Sequence, residues 1–149
     1  MHVLLVGSFD PTFGREIQRA VNALIFNMPS EAVLVVSGDA MDDRVRSLMR
    51  GRFGEAEGER RTVGVLPNGV VPDRVVVLGG DVEDDVFRMV ADYAEASVPV
   101  LPVVCAGPLG RRMFDRVGGR LSPGMSAQCQ LEVFPPMFRT FFETRTTPA

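Results

Sequence analysis

Short apolar runs that stop at glycines, each followed by a helical repeat, set the pattern of this chain. The run His2 to Val6 ends at Gly7-Ser8 and reads as a strand buried on both faces, as strands of parallel sheets are. Asp10-Pro11 then offers a helix start, because aspartate accepts from free first-turn N–H groups and proline fits the first helical position. Ile17, Ala20, Val21, Leu24 and Ile25 follow at helical spacing as one apolar face, which Asn27 and Pro29 end. The cycle repeats with a strand over Ala32 to Val36, the turn Ser37-Gly38-Asp39, and a shorter helix carrying Val45, Leu48 and Met49 inward. Gly51 is the expected stop of that helix.

Arg52 to Thr62 is polar and rich in Gly and Glu, and reads as a loop before a strand over Val63 to Leu66 and turns over Pro67 to Pro72. A third cycle runs from the apolar Arg74 to Leu78, through Gly79-Gly80, to a long helix expected to bury Val86, Met89, Val90, Tyr93 and Ala94. Val98 to Cys105 is a further strand, whose prolines suit an edge position. Residues 108–117 then read as a short helix with Leu109, Met113 and Val117 inward. Strand, glycine turn and helix in three successive cycles predict an α/β fold. The expected architecture is a Rossmann-like doubly wound, mostly parallel sheet with helices on both faces. Residues 1–121 form that body. Residues 122–149 form an extension packed on it, with a strand over Gln128 to Phe134, an aromatic helix over Met137 to Phe142 and a frayed tail from Thr144. Adjacent Phe141 and Phe142 cannot both face one side of a helix, so Phe134, Phe138, Phe141 and Phe142 are expected to serve both the core and a homodimer contact.

Composition narrows the function. The 149 residues suit one domain, and the 46% hydrophobic and 23% charged shares are those of an ordinary globular protein. All sixteen basic residues are arginine, and the net charge is −3. Residues 1–104 hold ten arginines against sixteen acids, and an acidic body disfavours a nucleic-acid partner, whose phosphates need neutralising. Residues 105–149 reverse the balance, with a possible basic patch at Arg111, Arg112, Arg116 and Arg120. Cys105 and Cys129 make no metal spacing with each other or with His2, the only histidine, and two cysteines are too few for a disulfide framework. Cys105 reads as a buried small hydrophobe. No apolar stretch is long enough to cross a bilayer and no signal peptide fits the start, so a cytoplasmic location without membrane contact is expected.

Ligands of open parallel sheets bind beyond the C-terminal strand ends, near the switch in strand order. Gly7-Ser8, Ser37-Gly38 and Gly79-Gly80 fall there, and the helix starts behind them carry free N–H donors. Each glycine turn has a steric explanation as well, and three in register give the ligand reading its weight. Gly7, Ser8, Phe9, Ser37, Gly38, Asp39, Gly79, Gly80 and Asp81 are therefore the candidate ligand-binding residues. Asp81, Glu83, Asp84 and Asp85 crowd the next helix start, where they favour the helix dipole but repel a phosphate. A single histidine ahead of the first strand leaves no Ser/His/Asp or Cys/His arrangement. Neither a metal nor a cofactor is called for.

The run Val6 to Asp10, the block Val35 to Ala40 and the run Val75 to Gly80 resemble the SLOG superfamily, as does the strand over Ser97 to Val104 with Gly107 after it. This Rossmann-like clan holds DNA-processing protein A, the Lonely Guy phosphoribohydrolases and nucleotide-sensing domains of bacterial defence proteins. The likeness covers about residues 2–117 and implies a nucleotide or nucleotide-sugar pocket at Gly7, Ser8, Ser37, Gly38, Gly79 and Gly80. Many relatives have Gly-Ser-Arg after the first strand, and Phe9 stands where that arginine would. The phosphoribohydrolases carry Pro-Gly-Gly-x-Gly-Thr-x-x-Glu. Matching Gly79-Gly80 to it places Val82 at the third glycine, Glu83 at the threonine and Val86 at the catalytic glutamate. The residues from Gly7 to Pro11 also resemble the opening of nucleotidylyltransferases such as phosphopantetheine adenylyltransferase. In this chain, however, Thr12 to Arg15 stand one residue closer than that family's motif, Arg15 replaces its final histidine, and the downstream blocks fit SLOG better. The reading is a small nucleotide-type ligand held by a non-catalytic sensor or sequestering domain. The alternatives are an N-glycosidic phosphoribohydrolase, a nucleotidylyltransferase, and a domain that uses this fold only for protein contacts.

Overall fold

Five apolar strands pair side by side and all run parallel in the computed structural model, which describes residues 1–36, 42–132 and 134–143. They are β1 (His2–Val6), β2 (Val33–Val36), β3 (Thr62–Val63), β4 (Arg74–Val77) and β5 (Val100–Pro102), in the spatial order β3-β2-β1-β4-β5. The chain winds outward from β1 to β3, crosses back to β4, and winds outward again, so the switch point lies between β1 and β4. β5 is an edge strand, which its prolines allow. The expected α/β doubly wound architecture is the one observed.

Side-chain alternation divides the core into two layers. Val3, Leu5, Leu34, Val36, Val76 and Leu101 face one side, where helix α1 (Gly14–Asn27) lays down Ile17, Val21, Leu24 and Ile25. Helix α2 (Asp42–Phe53) adds Val45 and Met49 to the same layer. Leu4, Val6, Val35, Val75, Val77 and Val100 face the other side. They pack against α4 (Asp84–Glu95) and α5 (Pro108–Val117), the latter through Leu109, Met113 and Val117 as its periodicity predicts. On α4 the buried stripe is Val90, Ala91 and Ala94, with Val86 and Phe87 half-buried. Met89, expected inside, is exposed.

Two segments differ from expectation. The loop expected over Arg52 to Thr62 is largely helical. α2 runs through Gly51 to Phe53, and α3 (Glu55–Arg60) follows Gly54, whose φ of 89° makes the turn. A glycine inside an exposed helix costs only about 1 kcal/mol against alanine. Tertiary contacts offset that cost: a Cβ on Gly58 would lie 2.5 Å from the Arg50 backbone, and the Arg52 and Arg61 guanidiniums cover the Phe53 ring at 4.6 and 4.9 Å. As a result, β3 begins and ends earlier than the strand expected over Val63 to Leu66.

The strand expected over Gln128 to Phe134 does not form. α6 (Pro123–Cys129) ends in a turn through Leu131, and α7 (Phe134–Glu143) starts one turn before the expected aromatic helix; Val133 and the tail from Thr144 lie outside the described residues. Ser122 accepts a hydrogen bond from the Met125 N–H (3.2 Å), and Pro123 fills the first helical position, a start signal that outweighs the apolar alternation at 129 and 131. Met125 and Cys129, four residues apart, are the buried pair, and Leu131 is exposed. α7 packs against α1 and buries Phe134, Phe138 and Phe141 in the chain's own core, with Phe142 half-buried beside them. The phenylalanines that suggested a subunit contact are thus largely accommodated within one chain. No described helix is long and apolar enough to cross a membrane.

Candidate functional site

The turns after β1 and β4 meet directly at the switch point. The Ser8 N–H donates to the Gly80 carbonyl (3.2 Å) and the Gly80 N–H to the Ser8 carbonyl (2.7 Å), a two-bond antiparallel bridge between the turns. The Ser8 hydroxyl donates to the Asp81 carbonyl at 3.1 Å and ties them a third time. Gly7, Ser8, Gly79, Gly80 and Asp81 are therefore brought together as expected. Ser37, Gly38 and Asp39, the third candidate turn, lie outside the described residues.

The glycines here answer to chain packing. At Gly7 (φ 143°) a Cβ would stand 1.7 Å from the Leu78 carbonyl oxygen, and at Gly79 (φ 89°) 2.2 Å from that of Ser8. The turn after β5 closes in from the far side: a Cβ on Gly107 (φ 134°) would meet the Gly79 oxygen at 2.3 Å. The Gly79 N–H is bonded to the Ala106 carbonyl (2.8 Å), and the Gly79 carbonyl accepts from the Leu109 N–H (3.2 Å). Backbone donors that a phosphate cradle would need at Ser8, Gly79 and Gly80 are thus engaged within the protein. What results is a cross-linked floor at the C-terminal edge of the sheet.

Around that floor stand three side chains. Phe9 is 38% exposed, and its ring lies over Gly14, where a Cβ would touch it at 3.5 Å. Asp10 caps the short 3-10 turn Pro11–Phe13 by accepting from the Thr12 N–H (3.0 Å), so the expected helix start is present one turn ahead of α1. Asp81 accepts from the Val82 N–H (3.1 Å) and from Arg112 (2.9 Å).

Arg112, on α5, also donates to Asp84 (3.1 Å) and lies 4.0 Å over the Phe87 ring. These contacts raise its pKa above the ordinary arginine value, chiefly through the bonds to Asp84 and Asp81. The guanidinium therefore neutralises part of the acidic start of α4, a pairing across 31 residues that no local motif announces. The basic patch expected at Arg111, Arg112, Arg116 and Arg120 does not stand alone. Arg111 meets Asp115 one turn along α5 (3.7 Å), and Arg116 and Arg120 meet Glu95 at the end of α4 (3.6 and 2.7 Å).

Burial disfavours the reactive thiolate at both cysteines. Burial pushes the Cys129 thiol up to about 12, and Cys105 is raised for the same reason, its half-buried thiol 3.5 Å from the Leu131 carbonyl. Among the described residues no group of His, Cys, Asp and Glu could hold a metal ion. Val86, aligned with the phosphoribohydrolase glutamate, is half-buried against the α4–α5 layer of the core. In comparisons with known proteins, no family model, no curated protein and no solved structure matches this chain.

Proposed function

We propose that this protein binds a nucleotide-type small ligand at the C-terminal edge of its sheet and acts as a sensor or sequestering domain without catalysing a reaction. The observation that carries the reading is the switch point between β1 and β4, where a cross-linked floor supports the exposed aromatic ring of Phe9. Crevices at such points are the usual ligand positions of doubly wound sheets. A rigid floor lowers the ordering cost of binding, and an exposed aromatic ring offers a stacking face for a planar base. With the glycine N–H groups engaged, the floor contributes shape, and the side chains around it supply the polar contacts. The resemblance to the SLOG superfamily supports the same ligand class, and Val86 and Phe9 at the positions of that family's catalytic carboxylate and arginine support the absence of turnover.

A thermal-shift panel of nucleosides, nucleoside mono-, di- and triphosphates, cyclic nucleotides and ADP-ribose-type compounds tests the reading. A ligand at one hundred times its Kd stabilises the fold by about 2.7 kcal/mol. For a domain of this size that is about 5–10 °C. Phe9→Ala should weaken the binding of the stabilising compound about tenfold or more, the usual contribution of one stacked base. A panel in which no compound shifts the melting temperature would refute the proposal.

A further inference from the structure

The outward face of α1 and the start of α2 border an open cleft of about 880 Å³, within the range that holds small organic ligands. Arg15 and Arg19 of α1 and Arg44 of α2 line it, with Asp43 as the one acid among the described lining residues. Most arginines of this chain are matched to acids or carbonyls, as at Glu57, Glu59, Glu95 and the Asp81–Asp84 pair. Arg19 reaches Glu132 only at 3.8 Å, with both side chains about half exposed. Arg15 and Arg44 make no ion pair or hydrogen bond with any described residue, yet two separate helices bring them to one cleft. Like charges converging on one cleft repel one another, and a bound oxyanion relieves that while accepting two-pronged bonds from each guanidinium.

The remaining walls suit the rest of a phosphorylated molecule. Gln18 and Asn22 continue the α1 face at helical spacing from Arg15, and each carboxamide both donates and accepts. Ser47 faces them from α2. Both helices run back against the strands, so Arg15 and Arg44, in their first turns, mark the end of the cleft nearest the C-terminal edge of the sheet.

We infer that the α1–α2 cleft is an oxyanion site that takes the phosphate groups of a phosphorylated small molecule, with Arg15 and Arg44 as its principal ligands. The inference rests on the ligand reading above for the organic part of the molecule only; the oxyanion site stands on its own residues. Inorganic tripolyphosphate is the probe. Isothermal titration at low ionic strength should show saturable binding by the wild-type protein, weakened by added salt. Arg15→Gln with Arg44→Gln should weaken it about a hundredfold, about tenfold for each charge-assisted contact. Both side chains are exposed and like-charged, so the unliganded melting temperature of the double variant should equal or slightly exceed that of wild type. Arg88→Gln with Arg139→Gln removes two other exposed arginines that pair with no described residue, and should leave the affinity unchanged. Absence of saturable tripolyphosphate binding, or equal weakening by both double variants, would overturn the site. Adenosine titrated in parallel separates the two readings. Binding of the nucleoside without tripolyphosphate sinks the cleft and spares the switch-point proposal, whereas arginine-dependent binding of tripolyphosphate with no nucleotide preference does the reverse.

Discussion

A methyl group added at Gly7 tests the packing of the switch point. The backbone there has φ 143°, and the new Cβ would stand 1.7 Å from the Leu78 oxygen and 2.9 Å from its carbonyl carbon. That carbonyl cannot recede freely, because the Leu78 N–H is bonded to the Val6 carbonyl (3.1 Å) at the end of the β1–β4 ladder. Forcing an L side chain into this conformation costs about 1–3 kcal/mol, and displacing packed backbone about as much again. Gly7→Ala should therefore lose about 2–6 kcal/mol, a fall of about 5–20 °C in melting temperature for a domain of this size. Two other glycines calibrate the experiment. At Gly80 the nearest atom to an added Cβ is the Ser8 hydroxyl at 2.5 Å, a side-chain end that can rotate away at the loss of its bond to Asp81. Gly80→Ala should cost about 1 kcal/mol. Gly51 meets nothing within 4 Å inside a helix, so Gly51→Ala should gain up to about 1 kcal/mol. Calorimetric melting of the three variants should rank them Gly51→Ala, Gly80→Ala, Gly7→Ala from highest to lowest. Should Gly7→Ala melt within about 2 °C of wild type, the turn would be open space and the glycine's role would have to be ligand approach after all.

Phe138, fully buried between α7 and the α1 layer, should cost about 3–5 kcal/mol when cut to alanine, measured by chemical denaturation. Cys129 is a neutral thiol in the fold, raised from 9.0 to about 12 by burial, so the unfolded chain ionises it first as pH rises. Its contribution is complete below about pH 9 and is lost between there and about pH 12, at up to about 1.4 kcal/mol per pH unit. Cys129→Ala should flatten that alkaline limb, and in the native protein at pH 8 a thiol reagent should modify Cys105 well before Cys129. Purified protein should release no free base from nucleoside monophosphates above background, since loss of an acid–base group removes about 10²–10⁴ in rate. Robust release that disappears in Asp85→Asn would assign the missing carboxylate to the start of α4.

Much of the fold is legible because burial on both faces leaves unbroken apolar runs, and β1, β2 and β4 all end within a residue or two of the glycines or serine that mark them. Helices α1 and α5 are equally plain from their apolar spacing. The region from Gly51 to Thr62 was not, because its helices owe their stability to contacts with Phe53 and between Arg50 and Gly58, which no local composition reveals. At α6 the Ser122-Pro123 start was present in the sequence but competed with an apolar alternation of period two. The candidate site was half legible. Alignment of the glycine turns follows from strand parallelism, so Gly7, Gly79 and Gly80 could be brought together on paper. Their engagement with Leu78, Ser8 and Ala106 depends on close backbone approach between distant turns, and the pairing of Arg112 with Asp81 and Asp84 on how α5 lies against α4. Of the arginines that share the α1–α2 cleft, only Arg15 carries a signal in the sequence, through the likeness to the nucleotidylyltransferase opening.

The most direct test of the ligand proposal is an amide-resolved NMR titration of the strongest stabiliser from the nucleotide panel. The account predicts saturable shifts confined to the C-terminal edge of the sheet, at Ser8, Phe9, Thr12 and Asp81 and in the first turns of α1 and α2. Residues of the opposite edge, such as His2, Asp73 and Val98, should stay unmoved. Shifts centred on that opposite edge, or spread evenly over the surface, would contradict it.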